Sequence, residues 1–150
     1  MPVLITPSEF KNENWTDLES IGDHINGLYT WESQPSISSY GNMFVFASNR
    51  DGGFGKSDLY YCIRLENGWS RPYNMGKNIN TKGSEKSPFL HPDNKTLYFS
   101  SNGRLGMGGL DIYFSRMDDD KVWSKPVNIG YPINSLNQEV GFFVSTDGEK

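Results

Sequence analysis

An internal repeat limits what this chain can fold into more than any other feature of its sequence. Trp15, Trp69 and Trp123 lie 54 residues apart. The same spacing holds for a set of glycines and Ile-Asn pairs: Gly22, Gly76 and Gly130, with Ile25-Asn26, Ile79-Asn80 and Ile133-Asn134. A sequence that matches itself at a fixed period is built from one structural unit used repeatedly. The 150 residues therefore form one array of about two and three-quarter copies.

The copies agree closely over most of their length. WSRPYNMGKNIN (69–80) and WSKPVNIGYPIN (123–134) are nearly identical, whereas the first copy has Leu18 in place of the proline. Residues 43–61 align with 97–114 at an offset of 53. The stretch 139–150 aligns with 85–95 and pairs Glu139 with Glu85. Chance does not produce this many matches.

Each copy contains four short runs with strand chemistry, separated by Gly, Asn, Asp and Pro. In the complete second copy the runs are 85–91, 96–101, 111–117 and 123–129. No segment keeps a 3.6-residue apolar period, so we expect almost no helix.

The prolines in the fourth run predict the architecture. Pro72 and Pro126 lack the N–H that an internal strand would donate, so the fourth strand should lie at a sheet edge. Four antiparallel strands ending at an edge are the plan of a β-propeller blade. The first strand should line the central channel. Aromatic residues should pack between blades, with Trp69 and Trp123 largely buried.

The predicted fold is thus all-β and consists of propeller blades in an incomplete ring. Residues 1–26 would end one blade, 27–80 and 81–134 would each form a blade, and 135–150 would start the next. Either the chain is a fragment, or several chains complete a ring together. An open array leaves apolar blade faces at both ends, so self-association is expected.

The composition argues against nucleic-acid binding, a membrane span and an internal disulfide. The net charge is −4, and the 14 Lys and Arg residues never cluster, so we do not expect nucleic acid to bind. No apolar run approaches the roughly 18 residues of a membrane span. The single Cys62 excludes an internal disulfide.

Recurring acidic residues are the main candidates for chemistry. Asp58 and Asp111 could be metal ligands or catalytic acids, or could cap backbone N–H groups of their own loops. Their recurrence favours the structural role. Glu32, Glu85 and Glu139 begin the predicted channel strands and could either bind a cation or basic partner as a ring or bond between blades. We expect no catalytic residues, metal or cofactor.

The connecting loops are the candidate binding surface. The loops at 50–56 and 103–109 should share one face with the segments near 24–32, 78–85 and 132–139. Loops released from strand pairing are free to carry specificity, although these could merely connect strands. The predicted exposed binding residues are Arg50, Lys56, Arg104 and Met107.

Three segments resemble a known family. WSKPVNIGYPIN, EKSPFLHPDNKTLYFSSN and GMGGLDIYF are similar to WD40-like propeller repeats related to the TolB propeller. They look most like the repeats of OmpA-family outer-membrane lipoproteins of Bacteroidota, including a component of the type IX secretion apparatus. The resemblance implies a periplasmic, outer-membrane-associated scaffold that binds envelope proteins and is not an enzyme. The alternative is the propeller part of a larger hydrolase, used for substrate gating or carbohydrate binding.

Overall fold

A computed structural model describes residues 4–145 as an all-β structure without a helix. Eleven short strands occur there: β1 (Phe10–Lys11), β2 (Asn14–Trp15), β3 (Glu32–Ile37), β4 (Met43–Ser48), β5 (Asp58–Leu65), β6 (Gly68–Trp69), β7 (Tyr73–Asn74), β8 (Glu85–Leu90), β9 (Thr96–Ser101), β10 (Asp111–Arg116) and β11 (Val127–Asn128). Nothing in this range could cross a membrane as a long apolar helix. The predicted all-β class is confirmed.

The strands form two similar antiparallel sheets and one small hairpin. The central sheet has the order β3-β4-β5, and both β6 and β7 pair with β5. The last sheet has the order β8-β9-β10-β11, and β1 pairs with β2. In the last sheet, the first three strands lie within one residue of their predicted bounds.

The fourth strand differs from the prediction because it is broken in both sheets. β6 and β7 are separate, and Trp123 makes only an isolated bridge with Met117 ahead of β11. The break coincides with the repeated Trp-Ser-x-Pro segment, whose proline cannot donate to the ladder. At the break, the serine hydroxyl accepts a hydrogen bond from a backbone N–H of the neighbouring strand. Ile63 N donates to Ser70 Oγ at 3.0 Å, and Arg116 N donates to Ser124 Oγ at 3.0 Å.

The first strands carry a repeated irregularity. Pairing shifts register between Ser33 and Ser36 and between Lys86 and Phe89. Within the irregular segments the backbone turns left-handed, with φ of 55° at Gln34 and 47° at Ser87. The two strands touch there, since Ser87 N donates to Gln34 Oε1 at 2.9 Å. The first strands of successive sheets therefore lie side by side, as the channel-lining role requires.

This geometry predicts that Ser87→Gly raises the free energy of unfolding by roughly 0.5–1 kcal/mol, because a residue with a Cβ is strained at positive φ. The matched control is Ser33→Gly in β3, where the backbone is not in the left-handed region. This control should lower the free energy of unfolding by about the same amount, because glycine loses more backbone entropy on folding. Urea denaturation measures both variants. Equal destabilisation of the two would contradict the strain at Ser87.

The core lies between neighbouring sheets in two clusters. Alternate residues of β4 and β5 point to opposite faces, as strand geometry requires. One face packs against the N-terminal segment through Phe44, Phe46, Tyr60 and Cys62, which meet Ile5 and Ile25. The other face packs against the last sheet through Val45, Ala47 and Leu59, which meet Leu97, Phe99 and Tyr113. The central sheet is thus covered on both faces by its neighbours in the chain.

The tryptophans are less buried than predicted. Trp69 and Trp123 are partly buried at the margins of the two clusters, while Trp15 is 70% exposed and packs on Phe10. Trp69 lies on the two-residue strand β6, at the edge of its sheet, and Trp123 lies in an isolated bridge with Met117. The backbone makes a further contact, because the carbonyls of Trp69 and Trp123 bond to His24 and Asn78 of the preceding unit.

Candidate functional site

The connecting loops lie beside one another, as the sequence predicted. Lys56 N donates to Gly83 O at 2.7 Å, and Glu85 N donates to Ser57 O at 2.9 Å. The next pair of loops repeats the arrangement, from Gly109 N to Asn137 O at 2.9 Å and from Glu139 N to Leu110 O at 2.8 Å. We call these loops, at 24–32, 50–56, 78–85, 103–109 and 132–139, the loop face.

The loop glycines permit this close approach. A Cβ on Gly55 would lie 2.3 Å from Gly83 O, and one on Gly108 would lie 1.9 Å from Asn137 O. Both distances are far too short for any side chain. The glycine-rich composition is therefore required by loop packing, and no phosphate-binding role is needed to explain it.

Asp58 and Asp111 are capping residues. Phe54 N and Gly55 N donate to the Asp58 carboxylate at 2.6 and 3.0 Å. Met107 N donates to Asp111 at 3.0 Å, and both carboxylates are buried. Because each side chain is used by the backbone of its own loop, the structural alternative proposed from the sequence is the one observed.

The glutamates of the first strands are buried hydrogen-bond acceptors. The Glu85 carboxylate, fully buried, accepts from Thr81 Oγ1 at 2.6 Å, Thr81 N at 2.9 Å and Ser101 Oγ at 2.7 Å. Glu32 accepts equivalent bonds from Thr30 Oγ1 and Ser48 Oγ at 2.8 and 2.9 Å. Thr30 and Thr81 belong to loops between sheets. These donors belong to the same unit as the glutamate they bind, so Glu32 and Glu85 form neither an open acidic ring nor bonds between blades.

The predicted exposure of Arg50 and Arg104 is wrong, and their role in binding a partner stays a prediction. Their side chains are only 19% and 15% exposed and face the buried carboxylates of Glu32 and Glu85. Arg104 Nη2 also donates to the Asn78 and Ile79 carbonyls at 2.6 and 2.9 Å.

A buried guanidinium loses its contact with water, so each of these arginines needs a nearby carboxylate to offset that cost. Burial lowers the pKa of Arg104, and the Glu85 charge opposes that shift. The guanidinium lies 5.7 Å from the Phe99 ring centroid and 5.8 Å from that of Tyr113, which are cation–π distances. The arginines therefore fasten units together. Lys56 and Met107 are exposed, as predicted.

The repeated asparagine of the Ile-Asn pair has a role that the sequence did not reveal. Asn80 Oδ1 accepts from Leu59 N at 2.8 Å, and its Nδ2 donates to Leu59 O at 2.9 Å. Asn26 bonds to Ile5, and Asn134 to Ile112, in the same way. One amide thus replaces a missing strand partner. The 54-residue spacing was the available signal, but an Asn-to-backbone pairing cannot be read from spacing.

The loop face carries large exposed apolar side chains that were not among the four predicted binding residues. Leu105 is 98% exposed, Tyr29 96%, Leu136 85% and Leu28 81%. Most exposed apolar residues are isolated and need no explanation. Here they recur at the tips of three of the five loops.

A groove of about 780 Å³ lies between the central and last sheets. Met43, Tyr61, Ile63 and Trp123 are among the residues that line it. The Asn78 side chain in the groove is used within the fold, because its amide donates to the Trp123 carbonyl at 3.2 Å. We therefore interpret the groove as the edge of the packing between the two sheets.

Residues 4–145 contain no cluster of three or more His, Cys, Asp or Glu side chains placed to hold a metal ion. Cys62 is buried in the core, where burial raises its pKa to about 11. The thiolate, which is the nucleophilic form, is therefore scarce at neutral pH.

Comparison with known proteins gives one informative result. No protein-family model matches the sequence, and no curated protein matches it. Among solved structures, TolB from Acinetobacter baumannii superposes on 97% of this chain with a TM-score of 0.55 and 16% sequence identity. The chain has a TolB-like β-propeller fold. It spans 33% of the length of that protein, and at this identity the likeness concerns the fold alone.

Proposed function

We propose that this chain is a non-enzymatic propeller module that serves as a protein-interaction scaffold in the bacterial periplasm, associated with the outer membrane. Two features support the proposal. The TolB-like fold provides a rigid support for loops, and the repeat motifs resemble those of OmpA-family outer-membrane lipoproteins. In this proposal each sheet is a blade, with boundaries at 27–80 and 81–134, in a ring of further blades.

The exposed apolar tips of the loop face carry the proposal. Tyr29, Leu105 and Leu136 are each at least 85% exposed, and Asp111 holds the loop of Leu105 in position through the N–H of Met107. Aromatic and aliphatic side chains at fixed positions are the usual anchors of protein interfaces, provided that a partner buries them. Lys56 and Met107 lie on the same face and would contribute at its margin.

The acidic side chains favour a scaffold over a hydrolase. Asp58 and Asp111 are occupied by backbone N–H groups, and Glu32 and Glu85 by hydroxyls and arginines. A general acid or base must reach the proton it transfers. These four carboxylates are already committed to the fold.

Alanine substitutions on the two faces test the proposal. In the full-length protein, Tyr29→Ala with Leu105→Ala should reduce capture of envelope proteins by about tenfold or more, as expected for anchor residues. The matched control is Tyr40→Ala with Val122→Ala, two exposed positions in the turns at the opposite ends of the strands. Quantitative mass spectrometry after crosslinking measures capture. Loss in the control with no loss in the loop-face variant would contradict the proposal.

A further inference from the structure

The groove between the central and last sheets is large enough to hold a ligand. Its volume of about 780 Å³ lies within the range of small-molecule pockets in proteins, about 300–1,000 Å³. The groove lies at the ends of the strands opposite the loop face, between the turn at 38–42 and the turn at 117–123. The edge of the packing between the two sheets therefore leaves room for a small molecule.

The wall of the groove is apolar and rich in sulfur. Met43, Met75 and Met117 line it, together with Tyr61 and Trp123. These are three of the five methionines in the chain. Methionine is flexible and polarizable, and its sulfur packs favourably against an aromatic ring. Such a wall suits a flat aromatic molecule.

The corresponding tryptophan of the central sheet has a different neighbour. Arg64 pairs with Trp69 across the strands, and its guanidinium lies 5.1 Å from the ring centroid. Met117 forms the equivalent bridge with Trp123. A thioether thus takes the place of the guanidinium beside Trp123, and that ring lines the groove.

The charged side chains that line the groove are both positive. Lys77 and Lys121 are exposed, and within residues 4–145 neither ammonium group has a salt-bridge or hydrogen-bond partner. No aspartate or glutamate is among the lining residues in that range. Of the acidic residues beside Lys121, Asp118 accepts a backbone hydrogen bond at 2.8 Å and Asp119 pairs with Lys95 at 3.1 Å. In a chain with a net charge of −4, this local positive charge favours an anionic ligand.

From these observations we infer that the groove is a binding site for a small aromatic acid, a molecule with one or two fused rings and a single carboxylate. In this site the ring lies among the three methionines and Trp123, and the carboxylate faces Lys77 and Lys121. Asn42 Nδ2, which has no partner in the described part of the chain, is a further donor. The inference concerns a small ligand and does not depend on the proposed scaffold role.

Three compounds that share one ring and differ in charge test the inference: indole-3-acetate, the neutral indole-3-acetamide and the cationic tryptamine. The whole isotope-labelled chain is titrated with each and followed by NMR at the indole N–H of Trp123. For the acid we expect saturable shifts with a Kd of about 0.1–1 mM, as its size allows. The amide should bind about fivefold more weakly, because exposed charge contacts contribute modestly. Tryptamine should bind more weakly still.

Two pairs of lysine substitutions locate the charge. Lys77→Gln with Lys121→Gln should weaken binding of the acid to the level of the amide and leave binding of the amide unchanged. The matched control, Lys11→Gln with Lys82→Gln, changes the net charge equally at exposed positions outside the groove and should leave binding of the acid unchanged. The inference is overturned by no saturable shift at Trp123 up to about 5 mM, by equal affinity for acid and amide, or by equal weakening in the two lysine variants.

Discussion

Glu85→Ala should lower the free energy of unfolding by about 3–5 kcal/mol, the usual consequence of removing one partner of a buried ion pair. The substitution removes the acceptor of Thr81 and Ser101 and leaves Arg104 buried without its counter-charge. For a domain whose total stability is about 5–15 kcal/mol, that loss approaches unfolding. Chemical denaturation followed by tryptophan fluorescence measures it.

Two further variants show whether the pair is the cause. Glu85→Ala combined with Arg104→Ala should cost less than the sum of the single changes, because the second change removes the uncompensated charge. Glu66→Ala, at an exposed position, should change stability by no more than about 0.5 kcal/mol. Additive losses in the double variant would show that the two side chains act independently.

Asn80→Ala should lower the free energy of unfolding by about 1–3 kcal/mol, because it leaves the Leu59 N–H buried without a partner. The Leu59 carbonyl keeps a hydrogen bond from Met75 N at 3.1 Å. Asn80→Asp should be at least as harmful. The carboxylate could still accept from Leu59 N, but it would face the Leu59 carbonyl with no donor. Thermal unfolding monitored by circular dichroism measures both changes.

Asn78→Ala is the matched control for Asn80. It lies two residues away, and its side chain makes one exposed bond to the Trp123 carbonyl at 3.2 Å. Its loss should cost no more than about 1 kcal/mol. If the two alanine variants had equal effects, the amide of Asn80 would not be acting as a substitute strand.

The order and bounds of the strands were predictable because the repeat shows the same pattern of apolar and turn residues in each copy. Three of the four runs in the last sheet were placed nearly correctly, since apolar alternation and turn residues act locally. The edge position predicted from Pro72 and Pro126 also holds, because a missing N–H has the same effect in any sheet. The capping role of Asp58 and Asp111 follows equally from local chemistry.

Contacts made across the repeat were less predictable. Arg50 and Arg104 resemble exposed loop residues in sequence, yet each reaches back to a buried glutamate about 18 residues earlier. The tryptophans resemble core residues, but Trp69 lies on the two-residue strand β6 and Trp123 in an isolated bridge, and both are only partly buried. In both cases the burial of the side chain depends on the neighbouring unit, and no local sequence pattern predicts contacts with that unit.

The broken outer strand affects how these molecules behave when crowded. A long, flat sheet edge invites strands of other molecules to pair with it and start fibrils. Here the outer edge offers two-residue ladders at β7 and β11, each preceded by a proline. Too few free backbone groups are aligned there to hold a foreign strand. The outer rim can therefore pass close to other proteins in a concentrated compartment without becoming a template for aggregation.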